Sequence, residues 1–184
     1  MDPIEGQPSG DLLLRVTPPK VFPSLVARKH LDPLSHGMNV GCILVSAPAG
    51  FGKTSLLSSW RRALLGNGYI VGWVAVQPEE GAQHFISALT LSVRLAAARP
   101  SFGRTLSLDQ PISSLETITA WLAELAQSAI PLAMVIDDID RLSPEAHQIL
   151  SYVIRNAPAN LRLILGSRTE TCLDLKEPLA YGQA

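Results

Sequence analysis

Cys42-Ile43-Leu44-Val45-Ser46-Ala47-Pro48-Ala49-Gly50-Phe51-Gly52-Lys53-Thr54-Ser55-Leu56-Leu57 changes character twice within sixteen residues. It opens as a short apolar run, passes through a turn of Pro, Ala and Gly, and continues with helical periodicity. A short apolar run bounded by turn residues reads as a buried parallel strand. The periodic part reads as a helix over 52–65, stopped by Gly66-Asn67-Gly68. Between the two, Ala47, Gly52, Lys53 and Thr54 satisfy [AG]-x-x-x-x-G-K-[ST], with Ala47 where the stricter pattern has Gly. Gly50 and Gly52 allow backbone conformations that turn successive N–H groups toward a phosphate, and the helix start adds its positive end. Lys53 can reach β- and γ-phosphates, and the Thr54 hydroxyl can ligate Mg2+. The bland alternative is a flexible turn with an exposed lysine. The strand before and the helix after favour a phosphate loop. The expected nucleotide-binding residues are therefore Ala49, Gly50, Phe51, Gly52, Lys53, Thr54 and Ser55, with a nucleoside triphosphate and Mg2+ as ligands.

Outward from this stretch, strand and helix signals alternate. Residues 70–76 read as a second strand. Residues 82–98 read as a helix ended before Pro100, and a turn-rich loop spans 100–111. Ser113 and Glu116 form a capping box for a helix to about residue 129. Residues 132–136 form a third strand. Ser143 and Pro144 start a helix to about 156, and 161–165 form a fourth strand. The alternation predicts a three-layer α/β/α fold around a parallel sheet. Residues 1–19, rich in Pro and Gly, read as an irregular N-terminal arm. Residues 20–40 form a lead-in segment, and 41–184 form the nucleotide-binding domain.

Leu132-Ala133-Met134-Val135-Ile136-Asp137-Asp138 is an apolar strand ending in two carboxylates, which places them at the ligand-binding edge of a parallel sheet. Asp137 is the expected Mg2+ ligand, acting through water, beside Thr54. Asp138 is the expected catalytic group with Lys53, facing the γ-phosphate and polarising an attacking water. Capping of the following turn is its alternative role. Asp140 reads as a surface or capping residue. At the end of the fourth strand, Gly166-Ser167-Arg168 offers Arg168 as a γ-phosphate contact, against the alternative of an arginine exposed at a strand end.

Composition narrows the functional classes. The chain has 184 residues and a net charge of −1, without the basic excess of proteins that grip DNA phosphates; no direct DNA binding is expected. Aromatics at 5% leave little stacking surface for single strands. Cys42 and Cys172 stand in no metal spacing and read as reduced, structural thiols. The N-terminus has no signal-peptide pattern and no segment is long and apolar enough to span a membrane, so a cytoplasmic location is expected.

Several placed motifs together resemble a known family. Ser46-Ala47-Pro48-Ala49-Gly50-Phe51-Gly52-Lys53-Thr54 with Trp60 down the helix, Val71-Gly72-Trp73, Met134-Val135-Ile136-Asp137-Asp138 and Leu163-Ile164-Leu165-Gly166-Ser167-Arg168 resemble the nucleotide-binding domain of large ATP-binding LuxR-type transcription regulators. These are the MalT-like members of the STAND class of P-loop ATPases. Val26-Ala27-Arg28-Lys29-His30-Leu31 resembles their V-x-R-x-x-L stretch, which makes Val26 and Arg28 adenine-side contacts by resemblance. The likeness implies ATP as the triphosphate; no N-K-x-D guanine motif is present. After the second strand, Val76-Gln77-Pro78-Glu79-Glu80 departs from the family's acidic run, and no role is carried over from that loop.

The resemblance implies a switch. ADP holds a closed monomer, ATP favours an open form that self-associates, and slow hydrolysis resets it. It also implies downstream winged-helix, sensor and helix-turn-helix domains that this chain does not contain, and a sheet order (5)-1-4-3-2 with the fifth strand missing or incomplete. The first strand would then be an apolar edge, and the chain alone is expected to be poorly stable or to aggregate. Two other functions remain open: a stand-alone P-loop ATPase or small-molecule kinase, and a nucleotide-binding module without hydrolysis.

Overall fold

The computed structural model describes residues 9–20, 31, 41–104 and 113–169. In chain order these residues form α1 (Gly10–Arg15), β1 (Cys42–Ser46), α2 (Lys53–Gly66), β2 (Ile70–Ala75), α3 (Ala82–Ala96), α4 (Ser114–Gln127), β3 (Leu132–Asp137), a one-turn 3-10 helix (Ile139–Arg141), α5 (Pro144–Arg155) and β4 (Leu161–Ser167). The four strands make one parallel sheet of order β1-β4-β3-β2, as expected for a P-loop NTPase. Most strand and helix boundaries fall within two residues of those read from the sequence. β4 runs two residues beyond its expected end, through Gly166 to Ser167, because these pair with Val45 and Ser46 of β1.

Both sheet faces are covered, which is why the strands read as continuous apolar runs. The alternation of each strand assigns its side chains. Val71 and Trp73 of β2, Ala133 and Val135 of β3 and Ile164 of β4 meet Leu57, Trp60 and Leu64 of α2. Val74, Leu132, Met134, Ile136, Leu161, Leu163 and Leu165 meet α3, α4 and α5 through residues such as Phe85, Leu89, Trp121 and Leu150. Phe102 packs edge-on against Trp121, with centroids 5.9 Å apart at 87°. The Trp60 indole N–H donates to the Leu31 carbonyl. Cys42 is a buried free thiol whose pKa burial pushes up to about 12, so it stays protonated and apolar in behaviour. Cys172 lies outside the described residues. Among the described residues, no helix is long and apolar enough to cross a membrane.

The irregular arm expected over residues 1–19 needs correction at 10–15, which form α1. The Ser9 hydroxyl accepts the Leu12 N–H as N-cap and Asp11 lies in the first turn, two signals that favour a helix start. A six-residue helix is marginal in water, and tertiary contact holds this one. The Arg15 guanidinium forms a buried ion pair with Glu80, and Val16 joins the core.

Candidate functional site

The phosphate loop follows β1 directly. Ala47 N–H donates to Ser167 C=O at 3.1 Å, extending the β1–β4 pairing by one bond before the chain turns. Gly50 and Gly52 have φ of 84° and 79°, in the left-handed region that side chains disfavour. Gly52 is the N-cap of α2, and neither a side-chain cap nor an acidic residue occupies its first turn. The first N–H groups of α2 are thus left for an external acceptor. This glycine-shaped, uncapped helix start fits a phosphate chain. Pro48, Ala49, Gly50 and Phe51 are exposed, as is Thr54, while Gly52 and Ser55 are half-buried.

Lys53 is buried, and its ammonium lies between the two carboxylates at the end of β3. It donates to Asp138 Oδ1 at 2.9 Å and lies 3.3 Å from Asp137 Oδ1. The Thr54 hydroxyl donates to Asp137 Oδ2 at 2.5 Å. Asp137 continues the alternation that points Ala133 and Val135 at α2, so the strand's pleat carries its carboxylate to the start of that helix. Thr54 and Asp137 put hard oxygen donors side by side, the set that Mg2+ accepts with its remaining positions filled by water and phosphate.

Asp138 has left the strand. Its φ of 59° and ψ of 42° are left-handed, a conformation Asp tolerates better than most residues at a local cost. It precedes the 3-10 turn but makes no side-chain cap, so the turn-capping alternative does not hold. Its carboxylate instead gathers Lys53, Arg168 (Nε to Oδ1, 3.5 Å) and Arg141 (Nη2 to Oδ2, 3.6 Å). Burial pushes the Asp138 pKa up. The Lys53 hydrogen bond and the charges of Lys53, Arg141 and Arg168 outweigh burial and hold it below 3.8. Burial likewise works against the Lys53 ammonium, but Asp138 and Asp137 outweigh it and keep it above 10.5. Both groups are charged at neutral pH.

Three residues to which the sequence assigns no part in the site also shape this edge. Asp140, read as a surface or capping residue, accepts the Arg168 backbone N–H at 2.9 Å, bracing the end of β4. Gly166 faces Asp137: a Cβ there would lie 2.5 Å from Asp137 Oδ1 and 2.8 Å from Leu57 Cδ1. Its signal was a glycine inside a strand, which often marks a close approach. Arg141 had no signal, because only the fold of the turn aims it at Asp138. The Ser167 hydroxyl is turned onto the Thr169 backbone, donating to its C=O at 2.7 Å. Val26 and Arg28 lie outside the described residues. Among the described residues, no group of three or more His, Cys, Asp or Glu side chains could hold a metal.

The model of the AAA ATPase domain family matches residues 25–165. Among solved structures, the chain is similar to Cdc6p from Pyrobaculum aerophilum, with a TM-score of 0.60 at 15% identity over 89% of this chain and 46% of that one. It also matches ORC1 of Aeropyrum pernix in complex with DNA, with a TM-score of 0.47 at 17% identity, covering 82% of this chain and 39% of that one. This chain thus spans less than half the length of either structure. The first likeness is one of fold, and it agrees with the parallel sheet described above.

Proposed function

The chain belongs to the AAA ATPase domain family, and from that premise we propose that it is a switch module that binds Mg-ATP and Mg-ADP and hydrolyses ATP slowly. The observation that carries the reading is the convergence of three separate elements on one spot: Lys53 and Thr54 from the start of α2, Asp137 and Asp138 from the end of β3, and Arg168 from the end of β4. In this reading Ala49, Gly50, Phe51, Gly52, Lys53, Thr54 and Ser55 wrap the phosphates, Lys53 neutralises the β- and γ-groups, and Thr54 and Asp137 hold Mg2+. The metal, when bound, draws charge from the phosphate oxygens. Asp138, held ionised by its cations, accepts a proton from an attacking water. Arg168 reports on the γ-phosphate, and Val26 and Arg28 contact the adenine.

The finer assignment is to a cytoplasmic LuxR-type transcription regulator of the MalT-like STAND class, with residues 20–40 as its adenine-side lead-in and 41–184 as its ATPase domain. The motif likeness supports it, as does a site whose basic residues, Lys53, Arg141 and Arg168, gather on the Asp138 carboxylate beside the phosphate loop. For a switch to work, ATP and ADP must favour its two states unequally, and Lys53, Thr54, Asp137 and Arg168 are the groups placed to make that difference.

The test is equilibrium binding of ATP and ADP with and without Mg2+, together with phosphate release, for the wild type, Lys53→Ala and Asp138→Asn. Slow turnover, abolished by Asp138→Asn while binding persists, and binding lost in Lys53→Ala are the expected results. Binding without any turnover in the wild type would favour a module that holds nucleotide without hydrolysis. Fast turnover with phosphate passed to a small molecule would overturn the switch in favour of a kinase.

A further inference from the structure

We propose that Arg141 is a direct contact for the terminal phosphate of a nucleoside triphosphate, a third cation beside Lys53 and Arg168 that makes the site prefer a triphosphate to a diphosphate. The proposal rests on the nucleotide-binding reading above and adds to it a residue that no sequence motif marks.

Arg141 is placed by its backbone. The left-handed turn at Asp138 reverses the chain, and Arg141 N–H donates to Asp138 C=O at 3.0 Å, closing the turn. On the far side, Leu142 N–H donates to Ile139 C=O at 3.1 Å and Ser143 N–H to Glu80 C=O at 3.0 Å. Leu142 also pairs with Glu80 as an isolated parallel bridge. Glu80 in turn is fixed by its buried ion pair with Arg15. The segment that carries Arg141 is therefore tied at both ends, unlike the free stem of a solvated surface arginine. Its guanidinium reaches Asp138 with its side chain 33% exposed, partly withdrawn from water yet open to a ligand.

The charge pattern points the same way. Lys53 and Arg168 approach Asp138 Oδ1 and Arg141 approaches Oδ2, so one singly charged carboxylate faces three cations. Asp137 shares Lys53, and the Asp140 carboxylate is engaged by the Arg168 backbone amide. Three cations held within 4 Å of one small carboxylate are within reach of one small oxyanion, and a terminal phosphate brings more charge and more acceptor oxygens than a carboxylate does. Lys53, next in sequence to the loop glycines, serves any phosphate chain seated there. The two guanidinium groups, carried not by the loop but by the turn after β3 and the end of β4, serve the end of a longer one. A planar guanidinium suits phosphate geometry.

The test uses the full chain and the affinities of Mg-ATP and Mg-ADP for the wild type, Arg141→Gln, Arg141→Lys and Asp138→Asn/Arg141→Gln, with thermal melting to verify folding. The expected result is an ATP affinity lower by about tenfold in Arg141→Gln with ADP affinity unchanged, the size of one lost charge-assisted hydrogen bond. Arg141→Lys keeps a charge, and with it a larger share of the preference. In the Asp138→Asn background the same ATP-selective loss persists. If Arg141→Gln lowers ATP and ADP affinity equally, or neither, the proposal is overturned. If the loss vanishes once Asp138 is Asn, Arg141 acts only through that carboxylate and the proposal is again overturned. A wild-type chain that binds neither nucleotide removes the nucleotide-binding reading itself, a failure distinct from the other two.

Discussion

Gly166 and Gly52 carry the site without contributing a functional group. No Cβ fits between Gly166 and Asp137, so a methyl group there has to push the Asp137 carboxylate away from Thr54 or displace Leu57. Gly166→Ala is expected to weaken Mg-nucleotide binding by about tenfold or more, since a misplaced ligand on Mg2+ commonly costs that much. Affinity measured without Mg2+ should move far less, and titration calorimetry with and without the metal checks the difference. Gly52 works through its backbone: at φ 79° an alanine is strained by about 1–2 kcal/mol. Gly52→Ala should therefore lower the midpoint of urea unfolding and weaken ATP and ADP alike, because the loop that bends is the one both nucleotides share.

Helix α1 and the loop after β2 depend on each other. Arg15 and Glu80 form a buried pair, with side-chain exposures of 7% and 1%, and the other Glu80 oxygen accepts the Gln77 N–H at 2.9 Å. Removing one partner leaves a buried charge uncompensated, so Arg15→Ala is expected to destabilise by about 3–5 kcal/mol. Arg15→Met with Glu80→Gln keeps an acceptor for Gln77 and removes both charges, and it should cost clearly less; urea unfolding of the two variants decides. In α5, His147 Nδ1 has no hydrogen-bond partner. Burial holds the His147 pKa below 6.5, with Asp140 opposing. A base whose folded-state pKa is depressed takes its proton more readily when unfolded, so stability falls as pH drops below 6.5. His147→Gln should flatten unfolding midpoints across that window. Asp138 acts lower on the scale: with its folded value under 3.8, its contribution is lost only as pH falls through that lower value.

The β1 edge of the sheet is less protected than its interior. β1 pairs only with β4 among the described residues, and Ile43, Leu44 and Val45 are half-buried there, whereas every residue of β3 is buried. A flat apolar edge invites pairing with another strand. The whole chain is expected to self-associate as its concentration rises, checked by light scattering, and its β1 amides should exchange with solvent faster than those of β3. Monomeric behaviour with a cooperative, high-temperature melt would contradict this expectation.

Period and punctuation in the sequence determined the four strands, their helices, the phosphate loop and the carboxylate pair after β3. These features arise from local rules: alternation of 2 or 3.6, caps, and glycines that permit left-handed backbone. Reading Lys53, Thr54 and Asp137 as one site was possible because strand ends in a parallel sheet gather at one edge. Only the tertiary structure decided what the neighbouring charges do. The pleat of β3 sends Asp137 to Thr54, a left-handed turn at Asp138 brings Arg141 back to it, and Asp140 holds the end of β4. α1 likewise persists through its ion pair with Glu80, from 65 residues along the chain. Contacts between residues so far apart, or set by one unusual turn, leave no periodic trace in the sequence, because the partners meet only when the sheet is assembled.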